Sequence, residues 1–181
     1  MRFNKLSLDG AFTIDLEKNE DDRGFFARYY CEQEFDAHAL STNIVQINNS
    51  LSRYKGTLRG IHYQLEPKAE DKIVRCINGS LFDVILDLRT ESETFGEWFG
   101  EVLSAENRKM MYVPKGFGHS FLTLEDHTEA LYMVTEYYSP EHERGIRYDD
   151  PRFQIKWPFD PVVISDKDKN IPDFDLSFHL Q

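Results

Sequence analysis

The sequence predicts an all-β protein, a double-sheet jelly roll with a few short helices. Two observations favour this class. Short apolar runs recur between turn residues along the chain, and segments with the spacing of an amphipathic helix are scarce. One helix is predicted, over residues 32–40. Eight strands are predicted in chain order, at residues 43–48, 58–64, 72–77, 81–88, 97–103, 110–113, 120–124 and 130–138.

The dipeptide Asn78-Gly79 separates the third and fourth predicted strands. Asn-Gly favours a type I′ turn, which needs a positive φ at both central residues, so a β-hairpin is predicted at this point. No internal repeat, low-complexity tract or Pro/Gly-rich linker divides the chain. Its 181 residues are a usual size for one domain, and residues 1–181 are therefore predicted to form a single domain.

The chain is acidic, with 21 Lys and Arg against 32 Asp and Glu and a formal net charge of −11. Proteins that bind nucleic acids or anionic membranes usually carry a surplus of Lys and Arg, so neither is a predicted partner of this chain. The charge is unevenly distributed. Residues 53–75 hold six basic and three acidic side chains, which makes this stretch +3 and the remainder −14.

The cysteine content indicates a reducing compartment. Cys31 and Cys76 are too few for a disulfide framework and have the wrong spacing for a structural zinc site. The first residues lead into no apolar signal-peptide core, and the most apolar stretch, residues 81–88, is too short to span a bilayer. A cytoplasmic location is predicted.

The predicted strand 58–64 lies in the basic stretch and carries Arg59, His62 and Gln64. Side chains alternate between the two faces of a strand, so Arg59 is predicted on one face and His62 with Gln64 on the other. Two interpretations remain open from this pattern. The segment is either an ordinary edge strand with solvated charges, or a strand whose His62 and Gln64 point into a concave interior beside an anion.

A second histidine, His119, ends the motif PKGFGH at residues 114–119. Metal-binding β-rolls of the cupin type pair such a PxGxxH motif with a Gly followed by HxH and then Glu. Here Gln64 stands where the second His is expected, and Glu66 comes too early for the acid. Two histidines are too few for a tight divalent-metal site, so a cupin-like fold with no metal and no other cofactor is predicted. An unmetallated imidazole in a cleft suits general acid–base chemistry near neutral pH.

Longer motifs occur in order along nearly the whole chain. They include DRGFF at 22–26, QINNS at 46–50, LRGIHYQ at 58–64, KIVRC at 72–76, SETFGEW at 92–98, LSAEN at 103–107, IKWP at 155–158 and SDKD at 165–168. Together they resemble the dTDP-4-dehydrorhamnose 3,5-epimerases, a cupin-like family of nucleotide-sugar enzymes. The resemblance implies an isomerase that inverts carbons 3 and 5 of a nucleotide-diphospho-4-keto-6-deoxyhexose. The implied reaction converts dTDP-4-keto-6-deoxy-D-glucose to dTDP-4-keto-L-rhamnose through an enolate.

The resemblance also implies roles for single residues. His62 is expected to be the general base, oriented by Asp168, and Tyr132 the acid that acts from the opposite face of the sugar. Lys72 is expected to stabilise the enolate oxygen. Further substrate contacts are expected from Gln46, Asn48, Arg59, Asp83, His119 and Tyr138. Arg23 and Phe26 are expected to reach across a homodimer into the neighbouring site.

Two positions depart from the family pattern: Arg28 stands where many members carry Glu, and Ser120 stands where Gly usually follows the histidine. Arg28 is expected near the substrate, and both departures are expected to bear on the choice of nucleotide and sugar. Several alternatives remain open. Asp168 lies in the charged run 166–169, which is also typical of a solvated tail, and Tyr137 and Tyr138 compete with Tyr132 for the acid role.

Asp83 has a plain alternative as well, since it could simply cap or pair within the sheet. At the level of function, the open alternatives are epimerisation at carbon 3 or carbon 5 alone and action on another nucleotide sugar. A sugar-nucleotide binding module without turnover and a metal-dependent cupin enzyme also remain open.

Overall fold

The computed structural model describes residues 1–180, and Gln181, the last residue of the predicted domain, lies outside them. Residues 1–180 form thirteen strands and three short helices. The strands are β1 (Arg2–Lys5), β2 (Phe12–Asp15), β3 (Lys18–Asp21), β4 (Gly24–Ala27), β5 (Gln46–Ser52), β6 (Leu58–Gln64), β7 (Lys72–Asn78), β8 (Ser80–Asp87), β9 (Trp98–Ser104), β10 (Met110–Val113), β11 (Phe117–Thr123), β12 (Thr128–Val134) and β13 (Glu143–Gly145). The helices are α1 (Glu32–Asp36), α2 (Asp166–Lys169) and α3 (Leu176–His179).

Two larger sheets form the body of the fold. One has the strand order β1-β2-β10-β7-β12-β5 and the other β13-β6-β11-β8-β9, while β3 and β4 form a separate hairpin. Val74 and Ala130 from the first sheet share one buried cluster with Ile85 and Phe121 from the second. Apolar side chains from both inner faces therefore pack together, as in a jelly roll. The predicted all-β, cupin-like jelly roll with a few short helices is confirmed.

The predicted elements agree with the structure where a strand is long and apolar. Strands 58–64 and 110–113 have the predicted bounds, and the other six predicted strands are shifted, shortened or extended. The prediction omitted β1–β4 and β13, which have three or four residues each. The β3 side chains are all exposed, so this strand has no apolar alternation to detect.

The helix predicted over residues 32–40 is wrong in length. The helix α1 ends at Asp36, and Ala39 has a positive φ of 56°, which an α-helix cannot continue through. Phe35 is fully buried, so packing of one turn rather than helical propensity holds this segment. Among residues 1–180, no helix has the length and apolar character needed to cross a membrane.

The hairpin predicted at Asn78-Gly79 is also wrong. β7 pairs with β10 and β12, whereas β8 pairs with β11 and β9, so this connection carries the chain from one sheet to the other. Gly79 does have a positive φ of 71°, as a turn requires, and a Cβ there would lie 2.7 Å from the Thr128 hydroxyl. Asn78 does not have the positive φ that a type I′ turn requires, so the predicted turn type is also wrong, and the partners of the two strands depend on inter-sheet packing.

The pairing of β6 with β11 corrects the predicted faces of Arg59 and His62. His119 pairs with His62 and Phe121 with Arg59, so three steps on β6 match two on β11 and a β-bulge lies between them. A bulge interrupts the alternation of side chains and brings both residues to the same cavity. Gly60 lies in the bulge with a φ of 107°, and a Cβ there would lie 2.5 Å from the His119 carbonyl oxygen.

Candidate active site

A cleft between the two sheets collects most of the predicted site residues. It has two adjoining lobes of about 450 Å³ each, and His62, Lys72 and Tyr132 line both. The polar residues that further line the Asp168 lobe include Arg59 and His119 of the five-stranded sheet, the N-cap Ser165 of α2, and Lys167 and Asp168 within α2. The Tyr138 lobe is further lined by Gln46, Asn48, Gln64, Glu70, Tyr138 and Glu143.

His62 and Asp168 form a hydrogen-bonded pair 106 positions apart in sequence, with His62 Nε2 and Asp168 Oδ1 separated by 2.6 Å. Asp168 is 4% exposed, so its interpretation as part of a solvated tail is wrong. Ser165 caps α2 by accepting a hydrogen bond from the Asp168 amide, which fixes the start of this short helix.

The charge state of Asp168 follows from its surroundings. Burial raises the pKa of this carboxyl, but the hydrogen bond and charge of His62, together with Ser165 and the Gly60 amide, outweigh burial and leave the pKa below its usual range. An ionised Asp168 only accepts hydrogen bonds, so the Nε2 of His62 carries the proton. The other ring nitrogen, Nδ1, has no hydrogen-bond partner within residues 1–180 and can accept a proton.

A second His–Asp pair lies on the neighbouring strand. His119 is directly opposite His62 in the β6–β11 register, and its Nε2 lies 2.8 Å from Oδ1 of Asp83. Asp83 is fully buried behind His119 and does not line the cleft. It therefore reaches a ligand only through His119, and its other carboxylate oxygen has no hydrogen-bond partner in the described part of the chain.

Lys72 and Tyr132 come from the opposite, six-stranded sheet. Lys72 pairs with Val134 on β12, two residues beyond Tyr132, so both side chains share the face that lines the cleft. Gln46 and Asn48 face the same way because they pair with Val134 and Tyr132 from β5. Burial raises the pKa of Tyr132, the charge of Glu70 adds to this, and Arg59 opposes it. The phenol is therefore protonated at neutral pH.

Of the three competing tyrosines, only Tyr132 lines both lobes. Tyr137 lines neither, and Tyr138 lines the Tyr138 lobe alone. The amide of Tyr138 donates to the Gln46 side chain at 3.2 Å, and its hydroxyl donates to Glu143 at 2.9 Å. The predicted strand 130–138 ends at Val134, so this tyrosine lies on a loop at the edge of the cleft.

Three predicted residues lie away from the cleft of their own chain, on or just after the β3–β4 hairpin. Arg23 pairs with Asp21 at 2.6 Å, Phe26 is 69% exposed, and Arg28 pairs with Glu34 at 3.2 Å. None of the three lines either lobe.

Ser120 lies near the cleft but does not line it. It is buried, and its hydroxyl donates to the carbonyl of Arg59 at 2.8 Å. Ser120 therefore does not contact a ligand in the cleft directly, because its side chain holds β11 against the bulge of β6.

Gln64 does not aim its amide into the interior as a ligand. Its Nε2 donates to the carbonyl of Lys68 at 2.7 Å, and its Oε1 accepts from the amide of Ser139 at 2.6 Å. The residue that replaces a cupin histidine thus ties two loops to β6. Within residues 1–180, no three His, Cys, Asp or Glu side chains are grouped closely enough to hold a metal ion.

Three charged residues of the cleft were not predicted from the sequence, namely Glu70, Glu143 and Lys167. Lys167 and Glu143 form an ion pair at 2.5 Å, although they are 24 positions apart in sequence. Glu70 carried a usable signal, because it precedes Lys72 by two residues on extended chain and period-2 alternation places the two on one face. The other two depend on loops that only the tertiary structure positions.

Comparison with known proteins identifies the family of this chain. The sequence model of the dTDP-4-dehydrorhamnose 3,5-epimerase family matches residues 5–175, nearly the entire chain. The chain belongs to this family. A dTDP-4-dehydrorhamnose 3,5-epimerase of Methanothermobacter thermautotrophicus is 46% identical over 172 residues, which cover 93% of this chain and 92% of that one. The predicted resemblance is confirmed.

Two solved structures of similar proteins have the same fold as this chain. The dTDP-6-deoxy-D-glucose-3,5-epimerase of Legionella pneumophila, in complex with dTDP-4-keto-L-rhamnose, superposes with a TM-score of 0.91 at 34% identity and covers 99% of this chain and 97% of that one. A 3′-monoepimerase of Streptomyces bikiniensis, in complex with dTDP-quinovose, gives a TM-score of 0.86 at 32% identity and covers 94% and 86%.

Proposed function

We propose that this chain is an isomerase that inverts carbons 3 and 5 of dTDP-4-keto-6-deoxy-D-glucose to give dTDP-4-keto-L-rhamnose. One observation carries the proposal. A histidine and a protonated tyrosine come from opposite sheets and line the same cleft, so they can approach a bound sugar from its two faces. The family membership and the sugar-nucleotide complex of the Legionella relative support the substrate class.

The 4-keto group makes the hydrogens on carbons 3 and 5 acidic, and each inversion then follows from two proton transfers. His62 Nδ1 removes the proton from one face, and Asp168 stabilises the imidazolium through Nε2–H. The ammonium of Lys72 stabilises the negative oxygen of the enolate, a contribution of about 3–4 kcal/mol for one such donor. Tyr132 delivers its proton to the opposite face, and exchange with water restores both residues before the next inversion.

The nucleotide part is assigned to the rest of the cleft. Arg59 and His119 supply positive or hydrogen-bonding groups for the diphosphate, and Asp83 orients His119. Gln46, Asn48 and Tyr138 line the second lobe, where an exposed aromatic ring and two amides suit a nucleobase. The basic stretch 53–75 thus supplies the cleft of an otherwise acidic protein.

Proton NMR in D₂O tests the proposal directly. With dTDP-4-keto-6-deoxy-D-glucose and catalytic amounts of the protein, we expect the signals of H3 and H5 to disappear as deuterium enters, with product of inverted configuration. Loss of neither signal would overturn the proposal and leave a binding module. Stoichiometric dependence of exchange on added Fe, Zn or Ni, with none in metal-stripped protein, would instead support a metal-dependent enzyme.

Epimerisation at a single carbon is the second candidate, favoured by the structural similarity to a 3′-monoepimerase. Exchange at carbon 3 or carbon 5 needs the same base, acid and enolate stabiliser, so the fold and these residues serve both reactions. The same NMR experiment separates them, because a monoepimerase exchanges and inverts only one of the two carbons.

We also propose that the active form is a homodimer in which Arg23, Phe26 and Arg28 reach the partner's cleft. These side chains do not line the cleft of their own chain, and Phe25 and Phe26 are exposed apolar rings on the β3–β4 hairpin. The outer strand β5 exposes Ile47 and Leu51 as well, so apolar surface is available for an interface.

Mixing two weakly active variants tests the shared site. We expect Arg23→Ala and His62→Ala to be weakly active alone, and a denatured and refolded mixture to recover about one quarter of the wild-type rate. A mixed dimer contains one cleft with both native residues, and mixed dimers form half of a random population. No recovery in a mixture shown to contain mixed dimers, or a monomeric wild type in light scattering, would contradict the proposal.

We infer, finally, that residues 1–181 act as one domain in the cytoplasm. The cleft takes residues from both sheets and from α2, so its lining depends on the packing of these elements in one unit. Both cysteines are free thiols, which is typical of proteins in a reducing compartment.

A further inference from the structure

An ion pair that the proposed mechanism does not use lies in the wall of the cleft. The carboxylate of Glu70 is 3.2 Å from the ammonium of Lys72, and the two side chains are each 12% exposed. Glu70 lines the Tyr138 lobe together with Lys72 and Tyr132. A carboxylate beside the group that is assigned to stabilise an enolate needs an explanation, because its negative charge opposes that of the intermediate.

The backbone around Glu70 is rigidly held by its neighbour. Asp71 is buried. Its carboxylate accepts one hydrogen bond from the Lys115 amide at 3.0 Å and another from the Thr135 hydroxyl at 3.2 Å. Its own amide donates to Thr135 at 2.8 Å. Because successive side chains of extended chain point to opposite sides, anchoring Asp71 in the fold turns Glu70 and Lys72 together toward the cleft.

Other charges surround the pair from several elements. The cleft wall also carries Arg59 and His62 from β6, His119 from β11, Glu143 from β13, and Lys167 and Asp168 from α2. His62 is paired with Asp168 and Lys167 with Glu143, which leaves Glu70 as the partner of Lys72. Among these groups, Glu70 is therefore the only ion-pair partner of Lys72.

We propose that Glu70 is a positioning residue that holds the Lys72 ammonium at the cleft wall and extends the alkaline range over which the neighbouring Tyr132 stays a protonated phenol. The assignment of Lys72 and Tyr132 as reacting groups rests on the proposed function. The charge of Arg59 favours the phenolate of Tyr132, which can no longer donate a proton. The charge of Glu70 acts in the opposite direction on the pKa of Tyr132, and burial of the phenol acts with it.

An absorbance titration tests this without any turnover. Subtracting the tyrosinate absorbance of Tyr132→Phe from that of wild type isolates the titration of Tyr132. Subtracting the absorbance of the double variant Glu70→Gln/Tyr132→Phe from that of Glu70→Gln isolates the same titration in the absence of the Glu70 carboxylate. We expect the apparent pKa of Tyr132 to fall by about one unit in the Glu70→Gln background. An unchanged or higher value would overturn the proposal, whatever the substrate of the protein is.

The pH profile of deuterium exchange gives the second measurement. In Glu70→Gln, we expect the alkaline limb of the rate to move to lower pH by a similar amount, and the rate at the optimum to fall about tenfold as Lys72 loses its partner. Glu136→Gln is the matched control, since Glu136 pairs with Lys68 at 3.4 Å but lines neither lobe. Its profile should coincide with that of wild type.

The two proposals fail in different ways. If wild type exchanges both protons and Glu70→Gln has the same pH profile, the epimerase proposal stands and the role of Glu70 is contradicted. If wild type exchanges neither proton, the epimerase proposal is contradicted. The absorbance titration then still decides whether Glu70 raises the pKa of the Tyr132 phenol. A wild-type profile in Glu70→Ala would likewise contradict the role of the carboxylate.

Discussion

Replacing His62 with Ala is expected to lower deuterium uptake at both carbons together, by about 10²–10⁴-fold. Both protons lie beside the same 4-keto group, and the dyad of His62 with Asp168 is the base proposed for both. The His62 side chain is only partly buried, so its removal leaves the core clusters untouched and the variant should remain folded. The measurement is the initial rate of loss of the H3 and H5 signals in D₂O.

Two further variants make this result specific. Asp168→Asn keeps the shape of the dyad but removes the charge that holds His62, so we expect an intermediate loss at both carbons. His38→Ala removes a histidine that stacks on Phe3 outside the cleft and should leave exchange unchanged. Exchange at one carbon that persists at the wild-type rate in His62→Ala would show that a different base serves that carbon.

Tyr132→Phe is expected to separate exchange from inversion. The variant keeps the ring that packs against the inter-sheet core and loses only the hydroxyl, so the fold should be retained. His62 can still remove a proton and return a deuteron to the same face. We therefore expect deuterium to enter with the original configuration, while formation of inverted product falls by about 10²–10⁴-fold.

The neighbouring tyrosine supplies the control for this prediction. Tyr137→Phe changes an exposed residue that lines neither lobe and should preserve both exchange and inversion. The acid assignment fails if Tyr132→Phe forms inverted product at the wild-type rate. Tyr138→Phe should chiefly raise KM, since that hydroxyl contacts Glu143 at the edge of the cleft rather than the opposite face of the sugar.

Local pattern sufficed to predict the parts of the fold that depend on local forces. Residues 110–113 are uniformly apolar, residues 58–64 carry apolar side chains at intervals along the strand, and both strands have the predicted bounds. The positive φ at Gly79 was predictable for the same reason, because Asn-Gly favours it within four residues of chain. Comparison with the HxH motif of metal-binding cupins likewise showed directly that Gln64 stands in place of the second histidine.

Other features depend on which strands become neighbours. The hairpin at Asn78-Gly79 does not exist because β7 and β8 find partners in different sheets, and the bulge in β6 arises from its pairing with β11. The edge hairpin β3–β4 has too little apolar pattern to be predicted alone. Such pairings are decided by packing across the whole sheet, which no window of the sequence contains.

The sequence by itself determined the chemistry available to this protein: an acidic chain with a basic stretch, two cupin-type histidines and an ordered set of family motifs. Only the tertiary structure decided the distances, the burial and the strand pairings of those groups. It brings Asp168 to His62 across 106 positions, sets Tyr132 and His62 on opposite sheets of one cleft, and buries Glu70 against Lys72. The reason is physical, since charge and residue type are carried by single positions, whereas distance and burial arise only when two sheets pack together.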